Sequence, residues 1–341
     1  MSLTARQIAK NLLNGEAPPR PLLLPIVFAL GAKVENVPLT AFLNNPTKIV
    51  SAARQMRAHL QADAVACYFD VYLELEALGA NLRRTSDDEP PAVEWKQTAK
   101  AGELPQGLRS AEETAQSGRI PVAAEVIRRL NAVPNRDFLL VASVSGPVKL
   151  AALLTQSEER ENTSLEELSA EALEFASSVT TQIATTHLEA GADVIYLHEQ
   201  IPAGLTAKAC EDLASLLAPT INVTRFYEAL PMLQLANASA TIEECETILQ
   251  QSWDCVLCLP DSFASSSRFV EFCVTMPKTP GVALSLEFFL PEHPGKEERI
   301  ANLRDAVTNV RPPVITTAGD LPFSTDMGYL KRVFTEIPRS H

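Results

Sequence analysis

The stretch ACYFDVYLELEALGA, residues 66–80, decides the fold, because it joins a short apolar run to a helical pattern through one aspartate, Asp70. The apolar residues before Asp70 are continuous rather than alternating, which is typical of a strand buried on both faces of a parallel sheet. The residues after it have the apolar spacing of a helix that ends near Gly79. One strand followed by one helix is the repeating unit of an α/β protein.

Apolar runs of the same kind recur along the chain, and segments with helical spacing lie between them. Eight such units predict a single-domain (β/α)8 barrel, the TIM-barrel fold. Residues 71–136 are too long for a simple barrel connection, so they are predicted to form an insertion that covers the barrel mouth, with a short hairpin and a helix at AAEVIRRLNAV. The predicted strands are residues 22–28, 63–69, 137–143, 193–199, 219–225, 254–260, 282–288 and 313–319.

Composition and charge narrow the class of protein. The chain has 341 residues, of which 46% are hydrophobic, and its net charge of −13 comes with no basic run that nucleic acid would need. No segment approaches the roughly 18 consecutive apolar residues of a membrane span, and the start resembles no secretion signal. We therefore expect a cytoplasmic protein that contacts neither nucleic acid nor membrane, with six reduced cysteines.

In a (β/α)8 barrel the active site forms at the carboxyl-terminal ends of the strands, so the residues just past each apolar run are the candidates. Asp70 stands among apolar and aromatic neighbours, including Tyr68 and Tyr72, so its carboxylate needs a partner. His198 and Glu199 are predicted either to act as general acid and base, to begin a metal site, or to make hydrogen bonds at the barrel rim. The other strand-end candidates are Ser145, Gly146, Thr224, Arg225, Asp261, Glu287 and Asp320, of which Asp261 and Asp320 are also candidate helix caps.

Motifs that would indicate other chemistry are missing. The sequence contains no GxxxxGK[ST], GxGxxG or GxSxG pattern, which argues against P-loop, Rossmann and hydrolase-elbow sites. Cys255 and Cys258 have C-x-x-C spacing, but on an extended strand they should point to opposite faces rather than to a shared metal. We expect neither a cofactor nor a bound metal.

Three separated segments together resemble the uroporphyrinogen decarboxylase superfamily, which includes the corrinoid-linked methyltransferases. They are ADAVACYFDVYLELEALGA (62–80), FLLVASVSGPVKLAALL (138–154) and HLEAGADVIYLHEQIPAGLT (187–206). The resemblance implies a (β/α)8 fold and a homodimer. In the decarboxylases, the aspartate that matches Asp70 binds the pyrrole N–H groups of the substrate and stabilises the protonated intermediate, a role that suits a fixed carboxylate.

Other family positions differ in this chain. The two arginines that hold substrate carboxylates in the decarboxylases fall on Leu30 and Val34, the family tyrosine falls on Leu153, and the late histidine falls near Gly319. Lys149, Arg136 and Arg225 are candidates to replace the arginines. The methyltransferases bind zinc through His-x-Cys after strand five, where the resemblance places Asn222 and Thr224, which are poor zinc ligands.

Three functions follow from the resemblance. The first is a cofactor-free decarboxylase for a tetrapyrrole or related small anionic substrate, with Asp70, His198 and Glu199 as catalytic residues. The second is methyl transfer with a corrinoid protein as partner, in which the same residues position a methyl donor without zinc. The third is a barrel that binds a tetrapyrrole or corrinoid without catalysis.

Overall fold

A computed structural model describes residues 3–84, 86, 91–95, 103–155, 164–200, 205–235, 241–261, 280–289, 298, 300–301, 304–305, 308 and 311–336. Eight parallel strands in this part of the chain form one sheet that curves into a nearly closed barrel, which confirms the predicted TIM-barrel fold. Numbered in chain order, the barrel strands are β1 (Leu22–Leu24), β2 (Ala64–Tyr68), β5 (Leu139–Ser145), β6 (Val194–Glu199), β7 (Leu230–Leu235), β8 (Val256–Pro260), β9 (Gly281–Leu284) and β10 (Val314–Thr317).

The strands follow the order β1-β10-β9-β8-β7-β6-β5-β2 around the barrel. Asp63 joins the two ends of this sheet, because its backbone N–H donates to the carbonyl of Leu23 at 3.0 Å and its carboxylate accepts from the N–H of Leu23 at 3.0 Å. Both faces of the barrel strands are buried, since side chains fill the interior and helices cover the outside. This double burial explains why the strand sequences are continuously apolar.

Helices surround the barrel, and several begin with side-chain caps. Thr4 and Thr241 each form a capping box at the start of their helices. No helix in the described residues is both long and apolar enough to cross a membrane. The described helices are α1 (Ala5–Leu13), α2 (Leu30–Val34), α3 (Leu39–Phe42), α4 (Pro46–Leu60), α5 (Leu73–Leu78), α6 (Ala111–Thr114), α7 (Ile120–Asn131), α8 (Pro147–Leu154), α9 (Ala170–Glu189), α10 (Ala207–Phe226), α11 (Ile242–Gln250) and α12 (Met327–Glu336), with 3-10 turns at Leu165–Glu167 and Leu286–Phe289.

One predicted strand is wrong: residues 219–225 form the end of α10, and the fifth barrel strand is β7. The run PTINVTR is rich in β-branched residues, which favour strands, but tertiary context overrides that preference here. Ile221 continues the buried face of the helix, and the hydroxyl of Thr224 donates to the carbonyl of Thr220 at 2.7 Å. The helix also accommodates Pro219 in its interior.

The long segment 71–136 contains more than one kind of structure. It holds α5, an antiparallel hairpin of β3 (Asn81–Arg83) and β4 (Ala92–Glu94), then α6 and α7. The predicted helix at AAEVIRRLNAV lies largely within α7, which packs against β2, β5, α4 and α9 as an ordinary barrel helix does. The residues between α5 and α6 are therefore the additional part, and their covering of the mouth stays a prediction.

Candidate functional site

The carboxyl-terminal ends of β2, β5, β6 and β10 bring most of the predicted site residues to one end of the barrel. Tyr68 is the last residue of β2 and Asp70 follows it, Ser145 is the last residue of β5, and His198 is the penultimate residue of β6. Neighbouring strands are in direct register here, since Ser145 pairs with His198. Glu287 belongs to the turn after β9, but its side chain lies outside the described residues. The structure thus assembles a mouth from sequence-distant residues.

Asp70 is buried and ionically paired. Its Oδ2 accepts from Nη1 of Arg119 at 2.7 Å, and its Oδ1 accepts from the backbone N–H of Tyr72 at 3.0 Å. Arg84, which follows the hairpin strand β3, lies 3.7 Å from the same carboxylate. The partner that the Asp70 carboxylate was expected to need is therefore Arg119, which was not among the residues predicted from the sequence.

Arg119 connects several groups at the mouth. Its Nε donates to Glu76 at 2.6 Å, and its Nη1 also donates to the hydroxyl of Tyr68 at 3.1 Å. Tyr68 in turn donates to the carbonyl of Leu43 at 2.8 Å. Only 7% of the Arg119 side chain and 4% of the Asp70 side chain are exposed, so this ion pair is shielded from water. Tyr68 therefore orients Arg119 in the described network, while its substrate-binding role stays a prediction.

Glu74 is a second acidic residue that sequence reasoning missed. It lies on the buried side of α5, where its Oε1 accepts from the N–H of Ser145 at 2.8 Å. Its Oε2 has no hydrogen-bond partner among the described residues, and burial raises the pKa of Glu74 above its usual range. The signal in the sequence is a glutamate among the apolar positions of LELEAL.

His198 faces the barrel interior and contacts Lys149, the third residue of α8. The Nζ of Lys149 lies 2.6 Å from Nδ1 of His198. Nε2 makes no hydrogen bond of good geometry among the described residues, although the backbone of Ala318 lies near the ring. Burial, reinforced by the Lys149 charge, lowers the pKa of His198 well below its usual range, so the imidazole is neutral. A charged lysine can only donate a hydrogen bond, so Nδ1 accepts and Nε2 carries the proton. His198 therefore presents a buried N–H donor.

Glu199 points away from the interior and caps α8. Its carboxylate accepts from the backbone N–H groups of Val148 at 2.9 Å, Lys149 at 2.7 Å and Gln200 at 2.8 Å. Burial raises the pKa of Glu199 to about 7, although these three donors favour the charged form. Gly146 allows the close approach, because a Cβ there would lie 2.3 Å from Oε2 of Glu199. The described contacts assign Glu199 a structural role, and its catalytic role stays a prediction.

Tyr196 and Gln234 are further interior polar groups that the sequence analysis missed. The hydroxyl of Tyr196 lies 3.0 Å from the carbonyl of Thr317 and 3.2 Å from the amide oxygen of Gln234. A phenol has one proton, so it can donate to only one of these two groups. The amide nitrogen of Gln234 is buried without a partner in the described structure, and Gln234 pairs in register with His198. Two neighbouring strands thus present buried polar atoms that lack a hydrogen-bond partner among the described residues.

Replacing Gln234 with leucine should leave the free energy of unfolding unchanged or raise it by about 1–2 kcal/mol, because the variant removes a buried amide that lacks a full set of hydrogen bonds. Chemical denaturation of the ligand-free protein measures this. The matched control is Tyr196→Phe, which removes the hydroxyl donor near Thr317 and should lower stability by about 1 kcal/mol. A loss above about 2 kcal/mol for Gln234→Leu would show instead that the amide is a structural group.

The two strand-end aspartates are fixed by backbone N–H groups. Asp320 accepts from the N–H groups of Phe28 at 2.6 Å and Ala29 at 2.7 Å, so it fixes the segment that leads into α2. Burial raises the pKa of Asp320 to about 7 against the effect of those donors. Asp261 accepts from Ser285 at 3.1 Å, while the helix it was expected to cap lies outside the described residues. The described contacts of Asp320 are not with the helix that follows it, which it was predicted to cap, and its substrate-binding role stays a prediction.

Two predicted basic residues lie at the opposite end of the barrel. Arg225 lies in the last turn of α10. Its guanidinium donates to the carbonyl of Leu13 at 3.4 Å and to that of Asp254, just before β8, at 3.5 Å. Arg136 pairs with Asp193, ahead of β6. The prediction that Arg225 and Thr224 stand at a strand end is wrong, because the segment that carries them is helical.

Comparison with known proteins identifies the family. The family model described as uroporphyrinogen decarboxylase matches residues 4–217, which is more than half of the chain. The chain belongs to the uroporphyrinogen decarboxylase family. A methyltransferase from Methanosarcina mazei has the same fold over nearly its whole length, with a TM-score of 0.75 and 17% identity over 98% of each chain. A D-tagatose 3-epimerase-like protein matches with a TM-score of 0.41 and 10% identity over 64% of this chain and 84% of its own. Among curated proteins, no sequence match was found.

The family's substrate-binding positions look different in this member. Leu30, which stands where the family has an arginine, is completely buried in α2. The cations at the mouth come instead from Arg119, Arg84 and Lys149. Near Gly319, where the family has a histidine, a Cβ would lie 4.0 Å from Cε1 of His198. The imidazole of His198, which comes from β6, therefore lies beside Gly319.

The zinc site of the family's methyltransferases does not fit these residues. Asn222 and Thr224, the positions that the resemblance matched to zinc ligands, lie in helix α10, whereas the fifth barrel strand is β7. Residues 230–241 contain neither histidine nor cysteine, and Gln234 offers only a neutral amide. Among the described residues, no three His, Cys, Asp or Glu side chains converge as metal ligands would.

Proposed function

We propose that this family member is a carboxy-lyase that acts at the barrel mouth on a tetrapyrrole or related small anionic substrate. The observation that carries the proposal is the neutral His198, which Lys149 holds in one tautomer and whose Nε2–H is buried without a partner in the described structure. When carbon dioxide leaves, an electron pair stays on the substrate, and a preorganised N–H donor stabilises the charge that develops.

The surrounding residues offer the positive charge and the hydrogen-bond acceptor that such a reaction needs. Lys149 and Arg84 supply positive charge toward a substrate carboxylate. Asp70 retains lone pairs beyond its contacts with Arg119 and Tyr72, so it can accept an N–H group of the substrate. Few cations occupy the mouth in the described residues, so a substrate with few carboxylates suits it better than uroporphyrinogen.

Incubation of the purified protein with uroporphyrinogen, and separately with smaller carboxylated pyrroles and oxo acids, tests the proposal. Chromatography follows the loss of carboxyl groups, and a coupled assay follows carbon dioxide. Turnover of a small acid but not of uroporphyrinogen is the expected result. Absence of carbon dioxide release from every substrate class would count against a lyase.

Asp70→Asn should reduce turnover by about a hundredfold or more, because the neutral amide is a weaker acceptor for a substrate N–H group and leaves Arg119 without its charged partner. The rate of carbon dioxide release measures the effect, and circular dichroism checks that the variant is folded. Asp212→Asn is the matched control, since Asp212 forms an exposed pair with Lys208 far from the mouth. Binding without catalysis would leave ligand affinity weakened at most, which calorimetry distinguishes from a lost reaction.

A second candidate is methyl transfer with a corrinoid protein as partner. The full-length likeness to the methyltransferase from Methanosarcina mazei favours it, although that likeness rests on the fold. The residues after β7 offer no thiol-activating zinc ligands, so methyl transfer here would rely on Asp70, His198 and Glu199 alone. Transfer of a labelled methyl group to a free cobamide, with no carbon dioxide release from any acid, would favour this function over the lyase. The predicted homodimer is tested by light scattering in the same preparation.

A further inference from the structure

Lys149 occupies an unusual place for a lysine. It is the third residue of α8, and its half-buried side chain reaches back over β6 to His198 rather than out to solvent. The turn that carries it is rigid, because Glu199 holds the backbone N–H groups of Val148 and Lys149. Gly146 makes this close packing of α8 on β6 possible. The amine is therefore held at a defined point in the mouth.

The groups around Lys149 come from two elements. His198 and Glu199 face it from β6, and Glu74 faces it from α5. Its Nζ contacts the imidazole of His198, whereas the Glu199 carboxylate binds backbone N–H groups of α8 and Glu74 binds the N–H of Ser145. Lysines removed from water are ordinarily paired with a carboxylate. Burial lowers the pKa of Lys149 to about 8, although Glu199 and Glu74 oppose that shift. About a tenth of the amine is then neutral at pH 7, compared with well below 0.1% for an exposed lysine.

We propose that Lys149 forms an imine with the carbonyl carbon of an oxo-acid substrate. A neutral amine is a nucleophile, and desolvated lysines form Schiff bases with carbonyl compounds. The inference rests on the proposed lyase function, and it narrows the substrate to a small β-oxo acid, in which one carbon separates the ketone or aldehyde carbon from the departing carboxylate. It also makes Lys149 a catalytic residue, since its Nζ bonds to the substrate.

The chemistry balances without any further reagent. The ammonium of Lys149 and a carbonyl group give an iminium ion and one water molecule. The bond between the carboxylate and the carbon next to the iminium carbon then breaks, and carbon dioxide leaves. Its electron pair forms the C=C bond of a neutral enamine while the C=N π pair moves onto nitrogen. The enamine carbon takes a proton from solvent, and water hydrolyses the new iminium ion to release the ketone and restore the ammonium. The Nε2–H of His198 holds the substrate oxygen during addition.

Borohydride trapping tests the inference directly. The full-length protein is mixed with acetoacetate, pyruvate or levulinate, reduced with sodium borohydride, digested and mapped by mass spectrometry. Lys149 should carry the reduced probe at a yield at least about tenfold above that of exposed Lys208, because far more of its amine is neutral. The yield should rise between pH 6 and pH 8 as Lys149 loses its proton.

Two variants make the result specific. Lys149→Arg should lose the adduct while Lys208→Arg keeps it, and thermal unfolding confirms that both remain folded. Labelling of Lys149 no stronger than that of Lys208 with all three probes would overturn the inference. Carbon dioxide release that persists in Lys149→Arg would also overturn it, while leaving the proposed lyase function standing. A trapped adduct without turnover of any tested acid would support the inference and count against the lyase.

Discussion

Arg119→Met is expected to lower the free energy of unfolding by about 3–5 kcal/mol, because removing the nearer cation leaves the buried Asp70 carboxylate with only Arg84, 3.7 Å away. Asp70 loses its 2.7 Å contact, and Glu76 and Tyr68 lose theirs in the same step. Urea denaturation at neutral pH, followed by circular dichroism, measures the change. A large decrease in the denaturation midpoint should occur even though Arg119 stands at the start of a surface helix.

A second arginine of the same helix supplies the control. Arg129 pairs with Glu125 one turn away, and 44% of its side chain is exposed. Such exposed pairs contribute about 0–1 kcal/mol, so Arg129→Met should change the midpoint little. Equal effects of the two substitutions would contradict the structural role given to Arg119. Arg119→Lys should lie between them, because a lysine keeps the charge but cannot serve Asp70, Glu76 and Tyr68 together.

Gly146→Ala should destabilise the protein by about 3 kcal/mol, since the added methyl group has no space. Its Cβ would lie 2.3 Å from Oε2 and 2.8 Å from Cβ of Glu199. The Cβ of Glu199 is attached to the backbone of β6, so it can move away only if the strand moves. Differential scanning calorimetry provides the measurement. Gly328→Ala is the control, because a Cβ there meets only the flexible carboxylate of Asp326 at 3.3 Å. That change in α12 should be neutral or slightly stabilising.

A double variant shows whether the clash is the cause. Glu199→Ala removes the obstructing side chain but also the cap of α8, which should cost about 1–3 kcal/mol. Gly146→Ala combined with Glu199→Ala should be less destabilised than the sum of the single variants by at least about 1 kcal/mol, because the two changes act at one contact. Simple additivity would place the cause of the Gly146→Ala effect elsewhere.

Local sequence patterns predicted the barrel well because each strand is buried on both faces. Continuous apolar runs such as residues 63–69 and 193–199 lie on true strands, and the alternation with helices follows from the fold. The run at residues 219–225 failed because β-branched residues suit a buried helix face equally well when their hydroxyls bond to the preceding turn. A short segment of sequence does not show which other helix or strand will pack against it.

The candidate site, like the fold, was predicted from the sequence only in part. The rule that strand ends form the site selected Asp70 and His198, since the position of a residue after an apolar run is visible in the sequence. Arg119, Glu74 and Gln234 were missed because each looks like an ordinary helix or strand residue. Arg119 stands 49 positions from Asp70 along the chain, so no local pattern joins them.

The amino-acid sequence by itself determined the fold class, the family resemblance and the end of the barrel where chemistry is expected, because burial and chain order leave direct marks on residue type. The tertiary structure alone decided the pairing of each group. It linked Asp70 to Arg119, set Glu199 as the cap of α8, and brought Lys149 to His198. Charge, tautomer and reactivity depend on distances of a few ångström between remote segments, and those distances exist only in the folded chain.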